Sequence, residues 1–241
     1  MEGRVSGRLS LKPSLLEHWL RQAHSQRRGW TPVVASFLSK SVCELFRGVA
    51  SRTPLSSFKR LIQILVIGSD GDHCPESTYA AAKEVGAEIA SRGAVLVTGG
   101  LGGVMEAACR GAKEKGGMVV GILPQEDMSY ANPYCDIIVP TGMGFSRNYV
   151  TAYSADSAIV VGGGAGTYVE ALVAYQKGKP IVALTGTGGT ADKIADSYLD
   201  DRKTVKVMAA PTPKDAVDQA LDHALNGKRG IRYFQSVAKM L

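Results

Sequence analysis

The chain has 241 residues, 45% of them apolar and 21% charged, and no apolar run reaches the length of a membrane span. Its formal charge of +6 is uneven: residues 1–60 hold 11 Lys and Arg against 3 Asp and Glu, while residues 61–241 hold 17 against 19. A near-neutral body argues against a nucleic-acid footprint on the folded domain, because such a footprint needs a clustered basic face.

Residues 1–60 are rich in Arg and Ser, with an amphipathic piece at 15–20. Three readings fit: an organelle transit peptide, a translation start assigned too early, or a helical arm packed on the domain or a partner. From Leu61 onward a regular pattern sets in and extends to about residue 226, leaving a tail at 227–241. Ile- and Val-rich runs recur at 62–67, 94–97, 118–123, 137–139, 158–161, 181–184 and 205–208. Unbroken apolar runs of this length imply strands buried on both faces, hence a parallel sheet. Helical stretches fall between most of them, at 77–91, 105–115, 145–155, 167–175 and 191–198. The last helix is signposted by Thr212 as N-cap, Pro213 in the first helical position and Asp215 where a capping box places an acid. Its apolar stripe runs through Ala216, Val217, Ala220, Leu221, Ala224 and Leu225. Strand alternating with helix predicts a doubly wound, Rossmann-like α/β fold: a mostly parallel sheet with helices on both faces, plus the N-terminal extension.

Ligands of such folds bind beyond the carboxyl ends of the strands, and the turns there are rich in small residues. The first strand leads into Gly68-Ser69-Asp70-Gly71 and the second into Thr98-Gly99-Gly100-Leu101-Gly102-Gly103. The fifth leads into Gly162-Gly163-Gly164-Ala165-Gly166-Thr167, and the sixth into Thr185-Gly186-Thr187-Gly188-Gly189. Glycines let backbone approach a ligand closely, and a helix start offers unpaired N–H donors at the positive end of its dipole. The turn before Thr167 is therefore a candidate phosphate cradle. It is not a Walker A loop, since no lysine follows its last glycine. The candidate ligand contacts are Gly68, Ser69, Gly99, Gly100, Gly102, Gly103, Gly163, Gly164, Gly166, Thr167, Thr187 and Gly188. Glu170 lies one turn into the helix, where a carboxylate near a phosphate needs separate work. Arg147 sits in a first helical turn, where a cation opposes the dipole. Two placements fit it: a surface arginine with its stem packed down, or a ligand-facing group that pairs with a phosphate or with Glu170.

Cys43, Cys74, Cys109 and Cys135 are scattered, and no CxxC or HxxxH spacing occurs, so neither a disulfide framework nor a metal site is expected. Asp70-Gly71-Asp72-His73-Cys74 reads as a polar turn rather than a ligand set. The expected compartment is reducing and aqueous, hence cytoplasmic, with organelle import through residues 1–60 left open.

Taken together, Thr98 through Glu106, Gly121-Ile122-Leu123-Pro124, Thr141-Gly142-Met143 with Arg147-Asn148, Gly162 through Glu170, Lys179-Pro180 and Thr187-Gly188-Gly189 resemble the LONELY GUY/lysine decarboxylase-like superfamily. The similarity covers roughly residues 61–225 and is greatest to its molybdenum cofactor carrier-like branch. In its phosphoribohydrolase members an Arg and the Glu of a PGGxGTxxE motif act on the N-glycosidic bond of a nucleoside 5′-monophosphate; by resemblance these are Arg147 and Glu170. The motif's proline is Gly162 here, and the lysine expected after the arginine is Asn148, as in the carrier-like branch. The resemblance implies a phosphorylated small-molecule ligand, molybdopterin cofactor or nucleotide, no required cofactor, and a homodimer or larger homo-oligomer. Carrier-like binding is the expected function. Phosphoribohydrolase activity is the alternative, and a ligand-sensing regulatory protein is a third reading.

Overall fold

The computed structural model describes residues 60–226, which lie in one compact unit beginning at Arg60. The readings of residues 1–59 and 227–241 lie outside the described residues. Seven strands form one sheet: β1 (Gln63–Gly68), β2 (Val95–Thr98), β3 (Val119–Leu123), β4 (Ile137–Pro140), β5 (Ser157–Val161), β6 (Ile181–Leu184) and β7 (Met208–Ala210). Every pairing is parallel and the order is β4-β3-β2-β1-β5-β6-β7. Five helices lie between strands and a sixth follows the last one: α1 (Glu76–Ser91), α2 (Val104–Glu114), α3 (Arg147–Tyr153), α4 (Ala165–Gln176), α5 (Gly189–Ile194) and α6 (Pro213–Asn226). The expected doubly wound architecture is what the chain adopts.

The continuous apolar runs work by alternation, because successive strand side chains point to opposite faces. Ile64 and Val66 of β1 enter a core with Val85 of α1, Ala108 of α2 and Val217 of α6. Leu65 and Ile67 enter a second core with Ala152 of α3, Ala174 of α4 and Ile194 of α5. Each run therefore stitches the two helical layers to the sheet. Thr212 opens α6 as expected: its Oγ1 accepts from Asp215 N at 3.1 Å and donates to the Asp215 carboxylate at 2.6 Å.

Three local expectations need correction. β4 is an edge strand, and Ile137 and Val139 are 47% and 38% exposed, so burial on both faces fails there. The last strand lies three residues later than the Val205–Met208 run suggested, because Val182 pairs with Met208 and Leu184 with Ala210, while Val207 turns into the core. α5 stops at Ile194, where Ala195 turns extended and Asp196 takes φ 56°, a left-handed conformation that Asp tolerates. Among the described residues no helix is long and apolar enough to cross a membrane.

The strand order reverses between β1 and β5. Gly68 is registered against Val161, so the first glycine turn and the 162–164 turn leave the sheet side by side at the switch point. Lys179 fixes the neighbouring helix: its half-buried Nζ donates to the carbonyls of Ala152 and Tyr153 at 2.8 Å, and to that of Ala155, capping the C-terminal end of α3. Burial pulls its pKa down to about 8.

Candidate ligand cavity at the switch point

A cavity of about 400 Å³ opens at this crevice, lined by residues from β1, the glycine turns and the starts of three helices. Of the sequence-predicted residues, Gly68, Gly99, Gly164, Gly166, Thr167, Arg147 and Glu170 line it. The remaining candidates stand behind the wall and hold it in place. Ser69 Oγ accepts from Gly163 N at 2.9 Å, joining the β1 and β5 turns. Thr187 Oγ1 accepts from Gly162 N at 2.9 Å and donates to Leu184 O. Gly100 packs against Gly121 and Leu123, Gly103 lies under Asp70, and Gly102 lies beside Gly71. Gly188 caps α5, its N–H donating to Asp192.

The hydrogen bonds sort the donors of the β5 turn. Gly162 and Gly163 spend their N–H groups on Thr187 and Ser69, and their carbonyls on Ala191 and Thr190. Ala165, Gly166 and Thr167 begin α4 with N–H groups that have no hydrogen-bond partner among the described residues. The N–H donors left over for a ligand are thus those of Gly164 and of α4's first turn, not those of Gly162 and Gly163. Thr167 is anchored by its Oγ1 donating to Gly68 O at 3.0 Å. Gly162 has φ +60°, which a proline ring cannot adopt. The missing proline of the hydrolase motif is therefore a backbone difference and not a neutral exchange.

Arg147 opens α3 but points inward, with a side chain only 10% exposed. Its Nη1 donates to Thr151 Oγ1 at 3.3 Å and to Glu170 Oε1 at 3.4 Å. Gly99 makes room for it: a Cβ at that position would meet Nη1 at 2.2 Å. The other guanidinium donors have no hydrogen-bond partner among the described residues, and the residue lines the cavity. Arg147 is therefore not a surface arginine, and its guanidinium lies against Glu170.

The pair is a strained compromise. Burial pushes the Glu170 carboxyl up to about 7, opposed by Arg147, and burial also lowers the Arg147 pKa, opposed by Glu170. For both partners desolvation outweighs an attraction acting across 3.4 Å. The folded state holds the Glu170 proton more tightly than the unfolded state, so stability falls as pH rises from about 4.5 to about 7. The associated loss is about 3 kcal/mol. Glu170→Gln should flatten this part of the profile, as read from urea midpoints at pH 5 and pH 8. An unchanged slope would show that Glu170 titrates normally.

Several lining residues were not among the candidate contacts: Val66, Ile67, Leu101, Met105, Pro124 and Phe145. Each reads as core or turn until the fold places it at a strand end. Asp70 also lines the cavity, although its carboxylate caps the 3-10 turn Gly71–His73. Asn148, in place of the hydrolases' lysine, is a lining residue as well. Among the described residues no group of three or more His, Cys, Asp or Glu is placed to hold a metal.

The family model of the SLOG cluster4 family matches residues 61–217, the whole of the sheet through the first turn of α6. The chain belongs to the SLOG cluster4 family. An uncharacterized protein of Archaeoglobus fulgidus is 48% identical over 125 residues, covering 52% of this chain and 81% of its own. The molybdenum cofactor binding protein of Rippkaea orientalis is 30% identical, with a TM-score of 0.61 over 68% of this chain and 97% of its own. The molybdenum cofactor carrier protein of Chlamydomonas reinhardtii is 34% identical, with a TM-score of 0.59 over 69% and 99%. This SLOG protein thus shares its architecture with cofactor carriers, as the motif order implied.

Proposed function

We propose that the protein binds and carries a phosphorylated pterin or nucleotide-like ligand, of which molybdenum cofactor is the leading candidate. The observation that carries this reading is the meeting of two unspent anion-binding elements in one cavity: the free donors of Arg147 and the first-turn N–H groups of α4. A phosphate there satisfies both, and the apolar wall of Leu101, Met105 and Phe145 suits a flat heterocycle. The relatives' carrier names point the same way. Carriage needs the donors and the cavity but no proton transfer, which is consistent with Gly162 and Asn148 standing where the hydrolase motif differs.

A second reading is favoured by one feature, the Glu170 carboxyl near 7 on the cavity wall. Cleaving an N-glycosidic bond develops positive charge on the sugar, which a carboxylate stabilises while it orients water. The two readings part in one experiment. The purified protein is assayed for co-purifying molybdenum and pterin, and incubated with nucleoside 5′-monophosphates. Carriage predicts bound pterin and no release of free base. Release of ribose 5-phosphate, abolished by Glu170→Gln, would replace it with the hydrolase.

A further inference from the structure

Behind the 99–103 loop lies a polar cluster that takes no part in lining the cavity. Cys109, fully buried in α2, has its Sγ 3.4 Å from Thr98 Oγ1 and 3.6 Å from Asn132 Nδ2. Cys135, half-buried just before β4, donates to Asn132 Oδ1 across 3.6 Å. The two sulfurs thus flank one Asn132 side-chain amide. Hydrogen bonding between them lowers the Cys109 pKa and raises that of Cys135, as for one proton held between two sulfurs. Both are free thiols. A Cβ at Gly121 would stand 2.6 Å from the Cys135 sulfur, so the glycine there leaves the room that this sulfur occupies.

The same side chains hold the loop. Thr98 Oγ1 accepts from Gly100 N at 3.1 Å, Asn132 N donates to Gly100 O at 2.9 Å, and Asn132 Nδ2 donates to Leu101 O at 3.0 Å. Gly99 and Leu101 are cavity wall. A covalent change at the sulfurs would therefore act on the back of the ligand loop, one residue removed from the cavity.

We propose that Cys109 and Cys135 are a reversible dithiol–disulfide pair that tethers α2 to the 132–136 turn and stiffens the loop over the cavity. The oxidant is a low-molecular-weight disulfide of the glutathione class. Cys135, the more accessible of the two, passes its proton to solvent, and the thiolate so formed attacks one sulfur of that disulfide, forming a mixed disulfide and releasing one thiolate. Cys109 then gives up its proton to solvent, attacks the Cys135 sulfur and releases the second thiolate. Two protein thiols are oxidised and one small disulfide is reduced to two thiols. Burial of Cys109 next to its partner favours this closure over a lasting mixed disulfide, and in a reducing compartment such bonds are transient and regulatory.

The test uses the full wild-type chain, equilibrated across reduced-to-oxidised glutathione ratios, quenched by thiol alkylation and mapped by peptide mass spectrometry. The expected result is a linked Cys109–Cys135 peptide pair, lighter by two hydrogen atoms, that appears with one midpoint and reverses on reduction. Amide hydrogen exchange should slow at Gly100 and Leu101 in the oxidised protein, and Cys109→Ser should trap Cys135 as a mixed disulfide. Accumulation of glutathione on Cys135 in the wild-type chain without the link would overturn the proposal. So would a link that forms only in denaturant.

Discussion

Arg147→Met should weaken binding of a phosphorylated pterin or nucleotide by roughly 100-fold, since about 3 kcal/mol is lost with a pair of charge-assisted hydrogen bonds. Methionine fills much of the same volume against Gly99 and Met105, so the cavity wall persists. The substitution leaves Glu170 without its cation, and its carboxyl, already near 7, shifts further up and is protonated at neutral pH. That neutralisation keeps the structural damage modest, so the loss reads out as affinity and not as unfolding. Arg147→Lys should recover only part of the affinity, because an ammonium restores charge but not the planar fork. Titration calorimetry on the three proteins checks this, with thermal melts to confirm that each is folded. Equal affinities would remove Arg147 from the ligand site.

Gly111→Ala should destabilise the protein by roughly 3 kcal/mol, although alanine is the better helix former by about 1 kcal/mol. The sign is decided by contact between helices. α1 and α2 touch backbone to backbone: a Cβ at Gly111 would lie 1.8 Å from Lys83 O, and one at Gly86 would lie 1.9 Å from Ala108 O. Neither oxygen is on a flexible side chain, so the helices must separate. Because α2 begins where the 99–103 loop ends, separation also disturbs that loop. Urea unfolding measures the effect, and a midpoint equal to or above the wild type would show that the helices can shift freely.

The fold was legible because most of its strands are unbroken apolar runs and most are followed by a helical stretch, the last helix with its own start signals. Where it was not legible, the physics is specific. The β7 residues Met208-Ala209-Ala210 have little intrinsic strand preference and take their conformation from pairing with β6. β4 looks as apolar as its neighbours, yet it lies on an edge that sequence order does not reveal.

The site divided in the same way. Arg147 and Glu170 stood out because each contradicts the dipole or the ligand charge expected beside it. The glycine turns announced close approaches without saying whether the neighbour is ligand or protein. Gly99 yields to a guanidinium, Gly103 to the β1 turn and Gly100 to β3. The pairing of Cys109 with Cys135 is a product of tertiary packing around Asn132, and the spacing of the cysteines gives no hint of it.

The measurement that bears most directly on the proposed function is equilibrium titration of the purified full chain with molybdenum cofactor, in parallel with adenosine 5′-monophosphate and with inorganic phosphate. The expected result is saturable binding of the cofactor at one site per chain, weakened roughly 100-fold in Arg147→Met and competed only weakly by phosphate alone. Saturable binding that is unchanged in Arg147→Met would contradict it, as would a wild-type protein that binds none of the three.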